Sequence, residues 1–355
     1  MIENKREQTF ETNLEDINLP SVSVIMPVYN EAEYIDRSLG AVLDQDYPFE
    51  KIEVILVDGI SSDSTREKIA LCAGKSANVV IIDNPKKIVS AGLNMAIQRA
   101  KGKILVRVDG HCEIAPDYIR NCVQHLMDSD IVGVGGSMET VGETPLAKTI
   151  ALAMSSRFGV GNSAFRTTQR HSMYVETVPF PAYWRAEVLA AGPFDEELVR
   201  NQDDEYNYRL CSRGGKLLLA ANVHSRYYSR SNLRSLWQQY YQYGYFKVRV
   251  MQKHFHQMRL RQFVPAIFLA GLAASILFAL TVSKGWLLLA VYTGLYLASD
   301  LSVTVWIASQ RGLRHIFLLS IAFAILHLSY GLGFWHGLAK FSGKWRTAKG
   351  LKKAI

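Results

Sequence analysis

The chain has 355 residues, 49% of them hydrophobic and 20% charged, too many for one minimal domain and too few for three. Its formal charge is +8, but the basic residues cluster beside apolar stretches: Lys247, Arg249, Lys253, Arg259 and Arg261 before them, Lys340, Lys344, Arg346, Lys349, Lys352 and Lys353 after. That placement argues against nucleic acid as a partner and for anionic headgroups on the cytoplasmic leaflet.

The leader, residues 1–20, opens MIENKREQTFETN, which has no apolar core, so we expect neither a secretory signal nor a first membrane span. A cytosolic globular domain is expected to follow. The four cysteines, Cys72, Cys112, Cys122 and Cys211, form no CxxC pair and suit reduced thiols there.

From residue 21 the chain alternates short β-rich runs with amphipathic stretches. SVSVIMP precedes EAEYIDRSLGAVLDQ, KIEVILVDG precedes SSDSTREKIALCA, NVVIIDN precedes VSAGLNMAIQRAKG, and KILVRVDGH follows. This alternation predicts an α/β domain over 21–230 with a mostly parallel, Rossmann-like sheet of right-handed crossovers. Ligands of such sheets bind beyond the carboxyl ends of the strands, where Asp58 and Asp109 fall. Helix capping is the competing role for Asp58. Residues 137–185 yield no clear elements and suit substrate-contacting loops.

Residues 231–258 mix aromatic and basic residues at helical spacing and predict an amphipathic interfacial helix, with packing in the core as the alternative. In the region 259–340, three apolar segments, near 263–282, 286–308 and 316–338, are each long enough to cross a bilayer; a basic tail, 341–355, follows. Three full crossings would leave that tail outside, against the positive-inside tendency. A re-entrant segment is the other solution, with Asp300, Gly331 and Gly333 as its marks.

Two clusters carry chemistry. Asp109-Gly110-His111 ends the fourth strand and sets a carboxylate and an imidazole two residues apart, a donor set for Mg²⁺ or Mn²⁺ that the imidazole tilts toward Mn²⁺. Asp203, Asp204 and Glu205 are consecutive acids, one of which can take a proton from a hydroxyl; an acidic first helical turn is the plainer alternative.

PVYNE (27–31), VDGISSDST (57–65), GLNMAIQRAKGKILVRVDGH (92–111) and QDDEYNYRL (202–210) resemble, in order and spacing, the motifs of the family 2 glycosyltransferases with the GT-A fold, over roughly residues 20–250. RNQDDEYNYRL and WQQYYQYGYFKVRVMQKH resemble most the succinoglycan-type branch, which extends a polyprenyl-diphosphate-linked sugar. The resemblance implies a membrane-bound, inverting hexosyltransferase of exopolysaccharide assembly, moving a sugar such as glucose from a nucleotide-sugar donor, a UDP-sugar, to a lipid-linked acceptor. It places the enzyme in the cell inner membrane with a cytoplasmic catalytic domain. It assigns Pro27, Tyr29, Glu31 and Asp58 to the nucleoside, Asp109 to ribose and metal, and His111 to metal in place of the usual aspartate. Asp203 becomes the base, with Gln202 where a glutamate is usual and Asp204 as the next candidate. Tyr183 and Arg185 resemble an acceptor-side lid, and Lys247 and Arg249 are expected at the acceptor's lipid diphosphate. Direct transfer to a polyprenyl monophosphate stays open, as does a processive synthase, although QQYYQYGYFK stands where such synthases carry Q-x-x-R-W.

Overall fold

The computed structural model describes residues 19–74, 78–167 and 171–345. Most of the polar leader and the tail from residue 346 lie outside the described residues.

The expected alternation is present. β1 (Val22–Val28), α1 (Ile35–Leu43), β2 (Ile52–Asp58), α2 (Thr65–Ala73), β3 (Val79–Asp83), α3 (Val89–Arg99) and β4 (Ile104–Arg107) follow one another. β1, β2 and β4 are almost continuously buried, as their unbroken Val/Ile/Leu runs require of strands covered on both faces. β3, β2, β1 and β4 pair in parallel; Val28, Asp58 and Asp83 lie side by side, so the first three strands end level, and Arg107, the last residue of β4, lies opposite Ile25.

The rest of the domain comprises β5 (Cys112–Ile114), α4 (Tyr118–Asp128), β6 (Gly133–Val141), α5 (Pro145–Met154), two short turns α6 (Arg157–Val160) and α7 (Ala164–Thr167), β7 (Met173–Val175), β8 (Ala182–Trp184), α8 (Arg185–Ala191), α9 (Gln202–Ser212) and β9 (Leu217–Tyr228). The sheet order among the described residues is β3-β2-β1-β4-β8-β6-β9-β5, with β7 on β9. β8 runs antiparallel to β4, which makes the sheet mixed at its centre. This is the mixed, mostly parallel sheet of the GT-A fold.

α10 (Leu233–Lys253) starts at Asn232, whose side chain accepts from the Ser235 amide at 2.8 Å. Its residues Lys247, Val248, Arg249, Val250, Met251 and Gln252 are all buried in succession, so its last turns are packed on every side rather than lying with one open face. Its main partner is the last of three long apolar helices, α11 (Val264–Thr281), α12 (Gly285–Arg311) and α13 (Ile316–Lys340). A Cβ on Gly244 would lie 2.1 Å from the Tyr330 carbonyl, and one on Gly333 would lie 2.0 Å from that of Tyr241. Gly244 and Gly333, the second of which was read as a mark of a re-entrant segment, therefore let α10 and α13 touch backbone to backbone, while Gly331 abuts the Pro265 carbonyl of α11. All three apolar helices are long enough to cross a membrane.

Candidate active site

The site forms where the loops after β1, β2 and β4 meet. Asn30 takes a left-handed conformation, φ 54°, and its amide donates to the Ser61 hydroxyl at 2.9 Å while its side-chain oxygen accepts from the Ser62 amide at 2.8 Å. Asparagine tolerates that conformation better than most residues. Two strand-end loops are thus tied together, leaving Tyr29 45% exposed above Gly59 with the Lys87 ammonium 5.7 Å from its ring. Pro27, Tyr29 and Glu31 line the cleft.

Asp58 does not. It is wholly buried and accepts from the Ser61 amide at 3.1 Å and the Ser61 hydroxyl at 2.6 Å, with Arg66 at 3.3 Å. It holds the turn after β2, akin to the capping that is the competing role for this residue, and the loop over it encloses its oxygens.

Asp109 and His111 face the cleft from the end of β4. Asp109 is 2.9 Å from Arg107, and His111 Nδ1 is 2.8 Å from a Glu31 oxygen. Arg107, only 7% exposed, also holds Asp203, which projects from the first turn of α9. One guanidinium therefore joins the two carboxylates assigned to metal and base. Sequence reasoning missed Arg107, whose one signal is a cation inside the apolar run KILVRV.

Asp204 pairs with Lys247 of α10 at 2.5 Å. Burial pushes the Asp204 carboxyl up, but the charge and hydrogen bond of Lys247 outweigh it and hold the pKa below the ordinary carboxylate value. Arg249 pairs with Glu197 at 2.7 Å and stands outside the cleft lining. Both cations expected at an acceptor diphosphate are already neutralised by carboxylates of the domain. Tyr183 and Arg185 are also displaced from their expected place. Tyr183 lies in β8 across from Leu105, buried with its hydroxyl on Asn207, and the Arg185 amide bonds the Lys103 carbonyl, at the opposite end of β4 from Asp109. Neither reaches the cleft.

The cleft encloses about 870 Å³ and runs from the strand ends, past α9 and α10, to Val264, Pro265, Leu326 and Tyr330 at the apolar helices. Its lining holds eight Lys and Arg residues against five Asp and Glu. Arg107 and Lys247 are in ion pairs, whereas Lys87, Arg157, Arg166, Arg200, Arg230 and Arg261 have no carboxylate partner among the described residues. Cations left unpaired in a partly dry cleft favour a polyanionic ligand.

For a divalent ion the protein offers Asp109 and His111, and among the described residues no group of three or more His, Cys, Asp or Glu side chains is arranged to hold one. Two donors facing an open cleft fit an ion that completes its shell with diphosphate and water oxygens.

A mixed GT-A sheet with a carboxylate and an imidazole at its central strand end, an acidic helix start beside them and a cation-rich cleft defines a glycosyltransferase. The chain belongs to family 2: the family model "Glycosyl transferase family 2" matches residues 23–185. It is 30% identical over 335 residues to the succinoglycan biosynthesis protein ExoA of Rhizobium meliloti (strain 1021), covering 92% of this chain and 98% of that one. It is 28% identical to the dolichyl N-acetyl-alpha-D-glucosaminyl phosphate 3-beta-D-2,3-diacetamido-2,3-dideoxy-beta-D-glucuronosyltransferase of Methanococcus voltae, covering 65% and 74%. These relatives work in polysaccharide and lipid-linked glycan synthesis. Among solved structures, the mannosyltransferase PcManGT of Pyrobaculum calidifontis, in complex with GDP-Man and Mn²⁺, shares the fold with a TM-score of 0.57 at 19% identity over 93% of both chains. GalNAc-T7 with UDP, GalNAc and Mn²⁺ does so at 0.51 and 18%, over 67% of this chain and 48% of that one.

Proposed function

We propose that this protein is an inverting, metal-dependent hexosyltransferase of the cell inner membrane. It moves glucose from a UDP-sugar to a polyprenyl-diphosphate-linked sugar on the cytoplasmic side. The observation that carries this reading is the single cleft that begins at Asp109, His111 and Asp203 and ends among apolar helices, with unpaired arginines between.

Tyr29 and Pro27 offer an apolar face for the nucleoside base, and Asp109 reaches the ribose and diphosphate side. Asp109 and His111 would hold a divalent ion, which when bound would supply charge neutralisation for the diphosphate. The acceptor hydroxyl oxygen forms a bond to the anomeric carbon as the bond from that carbon to the diphosphate oxygen breaks. Its proton passes to a carboxylate oxygen of Asp203, and the nucleotide diphosphate leaves with the electron pair. No enzyme nucleophile is needed, and one displacement inverts the anomeric centre. Arg107 orients Asp203 by the ion pair already described. Arg157 and Arg261, at the apolar end of the cleft, are the cations we assign to the acceptor's diphosphate in place of Lys247 and Arg249.

The test is release of nucleotide diphosphate from a panel of nucleotide sugars by the purified full chain, with short polyprenyl-diphosphate-sugar acceptors, with and without Mn²⁺. We expect acceptor- and metal-dependent release that Asp203→Asn lowers by about 10²- to 10⁴-fold, the usual worth of a general base, with donor binding retained. Full activity in Asp203→Asn, or turnover only with soluble acceptors, would overturn the reading.

A further inference from the structure

We infer that only α11 and α12 cross the bilayer, as a hairpin, and that α13 lies along the membrane surface beneath the catalytic domain. This goes beyond the proposed reaction and rests only on the chain being a membrane protein.

Composition alone treats the three helices alike, but their surroundings differ. α13 has 25 residues, a length of about 37 Å at the helical rise, more than the roughly 30 Å of a bilayer's hydrocarbon. Were it a span, its two ends would sit on opposite faces. Instead the globular domain and α10 together hold it from end to end. At its start, His315 is buried with Nδ1 2.6 Å from the Thr149 hydroxyl of α5. At its middle, His327 Nε2 is 2.8 Å from the Phe158 carbonyl, and the Phe158 ring meets Phe323 edge-on at 5.0 Å. Farther on, Gly333 and Gly337 abut the backbone of α10, and just past its end the Phe341 carbonyl accepts from Gln252 at 2.8 Å. A polar domain in contact along all of α13 cannot accompany it through hydrocarbon, where free backbone groups and charges such as Glu197 would be stranded.

The face of α13 turned from the domain carries Phe317, Ile321, Leu332 and Trp335, all exposed. Their offsets of 4, 15 and 18 residues from Phe317 place them within about 60° of one another around the helix, one apolar stripe. The occupant we assign to that stripe is the headgroup and upper acyl region of the bilayer, because the stripe is continuous with the hairpin beside it. Trp335 Nε1 donates to the Ala266 carbonyl at the start of α11, and Ser320 bonds Asp300 toward the end of α12.

α11 has 18 residues, about 27 Å, and buries only Ala266 and Ser275. α12 is buried at Asp300, Thr304, Ile307 and Ala308, where it returns to the domain, and otherwise only at Gly285 in the tight turn from α11. Both helices therefore leave the domain and come back to it. The arrangement also removes the conflict with charge. Arg259, Arg261, Arg311, Arg314, Lys340 and Lys344 fall on the domain's side, and Lys284 alone is at the tip. It also puts the mouth of the cleft, between Pro265 and Tyr330, at headgroup level.

Cysteine labelling of the full chain in sealed vesicles of known orientation tests this, using a membrane-impermeant maleimide and the wild-type chain as background for its four native cysteines. Ser283→Cys lies at the hairpin tip, Gln310→Cys at the end of α12 and Ser342→Cys just beyond α13. We expect Gln310→Cys and Ser342→Cys to label on one side and Ser283→Cys only on the other, each reversed by inverting the vesicles. Labelling of Ser342→Cys opposite Gln310→Cys would restore three crossings and sink the inference. Labelling of all three on one side would sink the crossing hairpin. Release of the wild-type chain by alkaline carbonate would instead overturn the membrane reading itself, whatever the labelling pattern.

Discussion

Lys247 separates two roles that a lysine beside an acceptor can play, and Lys247→Met decides between them. The ammonium is 5% exposed and 2.5 Å from an Asp204 carboxylate that keeps 30% of its side-chain surface. Truncating one member of a buried pair typically costs about 3–5 kcal/mol, because the other charge is stranded. Partial access of water to Asp204 reduces that to about 2–3 kcal/mol here. Asp204→Asn with Lys247→Met removes both charges, and we expect it to recover most of the loss, a coupling of about 2 kcal/mol. The assay is unfolding in detergent followed by tryptophan fluorescence at one scan rate, beside acceptor and donor KM for all four proteins. Reasoning from the ion pair predicts a destabilised single variant and a double variant with wild-type acceptor KM. A stable Lys247→Met with a raised acceptor KM would refute it and return Lys247 to the acceptor's diphosphate.

Arg157→Gln with Arg261→Gln should raise acceptor KM by about tenfold or more, the worth of one or two charged hydrogen bonds, while donor KM and unfolding stay unchanged in the same assays. Gly244→Ala forces a Cβ against the Tyr330 carbonyl and should cost about 1–3 kcal/mol in apparent stability by thermal unfolding, with the helix pair α10–α13 as the part that yields. Acid should unfold the domain in a defined direction. Asp204 and Glu205 are raised by burial yet end below their ordinary values, through Lys247 for one and through His254 and Arg209 for the other; Glu197 is lowered by hydrogen bonds from Arg249, Lys253 and Lys344. The unfolded chain then binds more protons than the folded one, so their stabilisation is complete above about pH 4–5 and is lost as pH falls through the depressed values. Unfolding midpoints measured from pH 6 to pH 3 should fall, and less steeply in the variant lacking both Lys247 and Asp204.

The alternating units and the strand-end position of Asp109 were legible because a parallel sheet writes its order into local patterns: apolar runs of strand length, each closed by a turn and followed by a helix. The place of Asp203 in the first turn of a helix was legible by the same token, since an acidic triplet suits a helix start. The residues that sequence could not place are those whose meaning is a pairing. Lys247 meets Asp204, Arg249 meets Glu197 and Arg107 meets Asp203, each across a separation that no local pattern spans. Tyr183 and Arg185 lie away from the cleft for another reason. The strand that holds Tyr183 and leads into Arg185 runs against β4, so moving forward along it leads away from the strand ends where the cleft lies.

The third apolar helix marks the limit of hydropathy itself. A transfer scale measures how readily a side chain leaves water, and the interior of a protein and the interior of a bilayer satisfy it equally. Leu319, Ala322, Phe323 and Leu326 leave water by joining the domain's core, while Phe317 and Ile321 on the same helix remain exposed on its other side. With apolar residues on both faces the helical period disappears from the sequence, although the two faces have different neighbours. Three positions along α13 carry the distinction: His315 and His327 bond Thr149 and Phe158 of the domain and Gly333 abuts the Tyr241 carbonyl of α10, and a helix held so from end to end has no length left with which to cross.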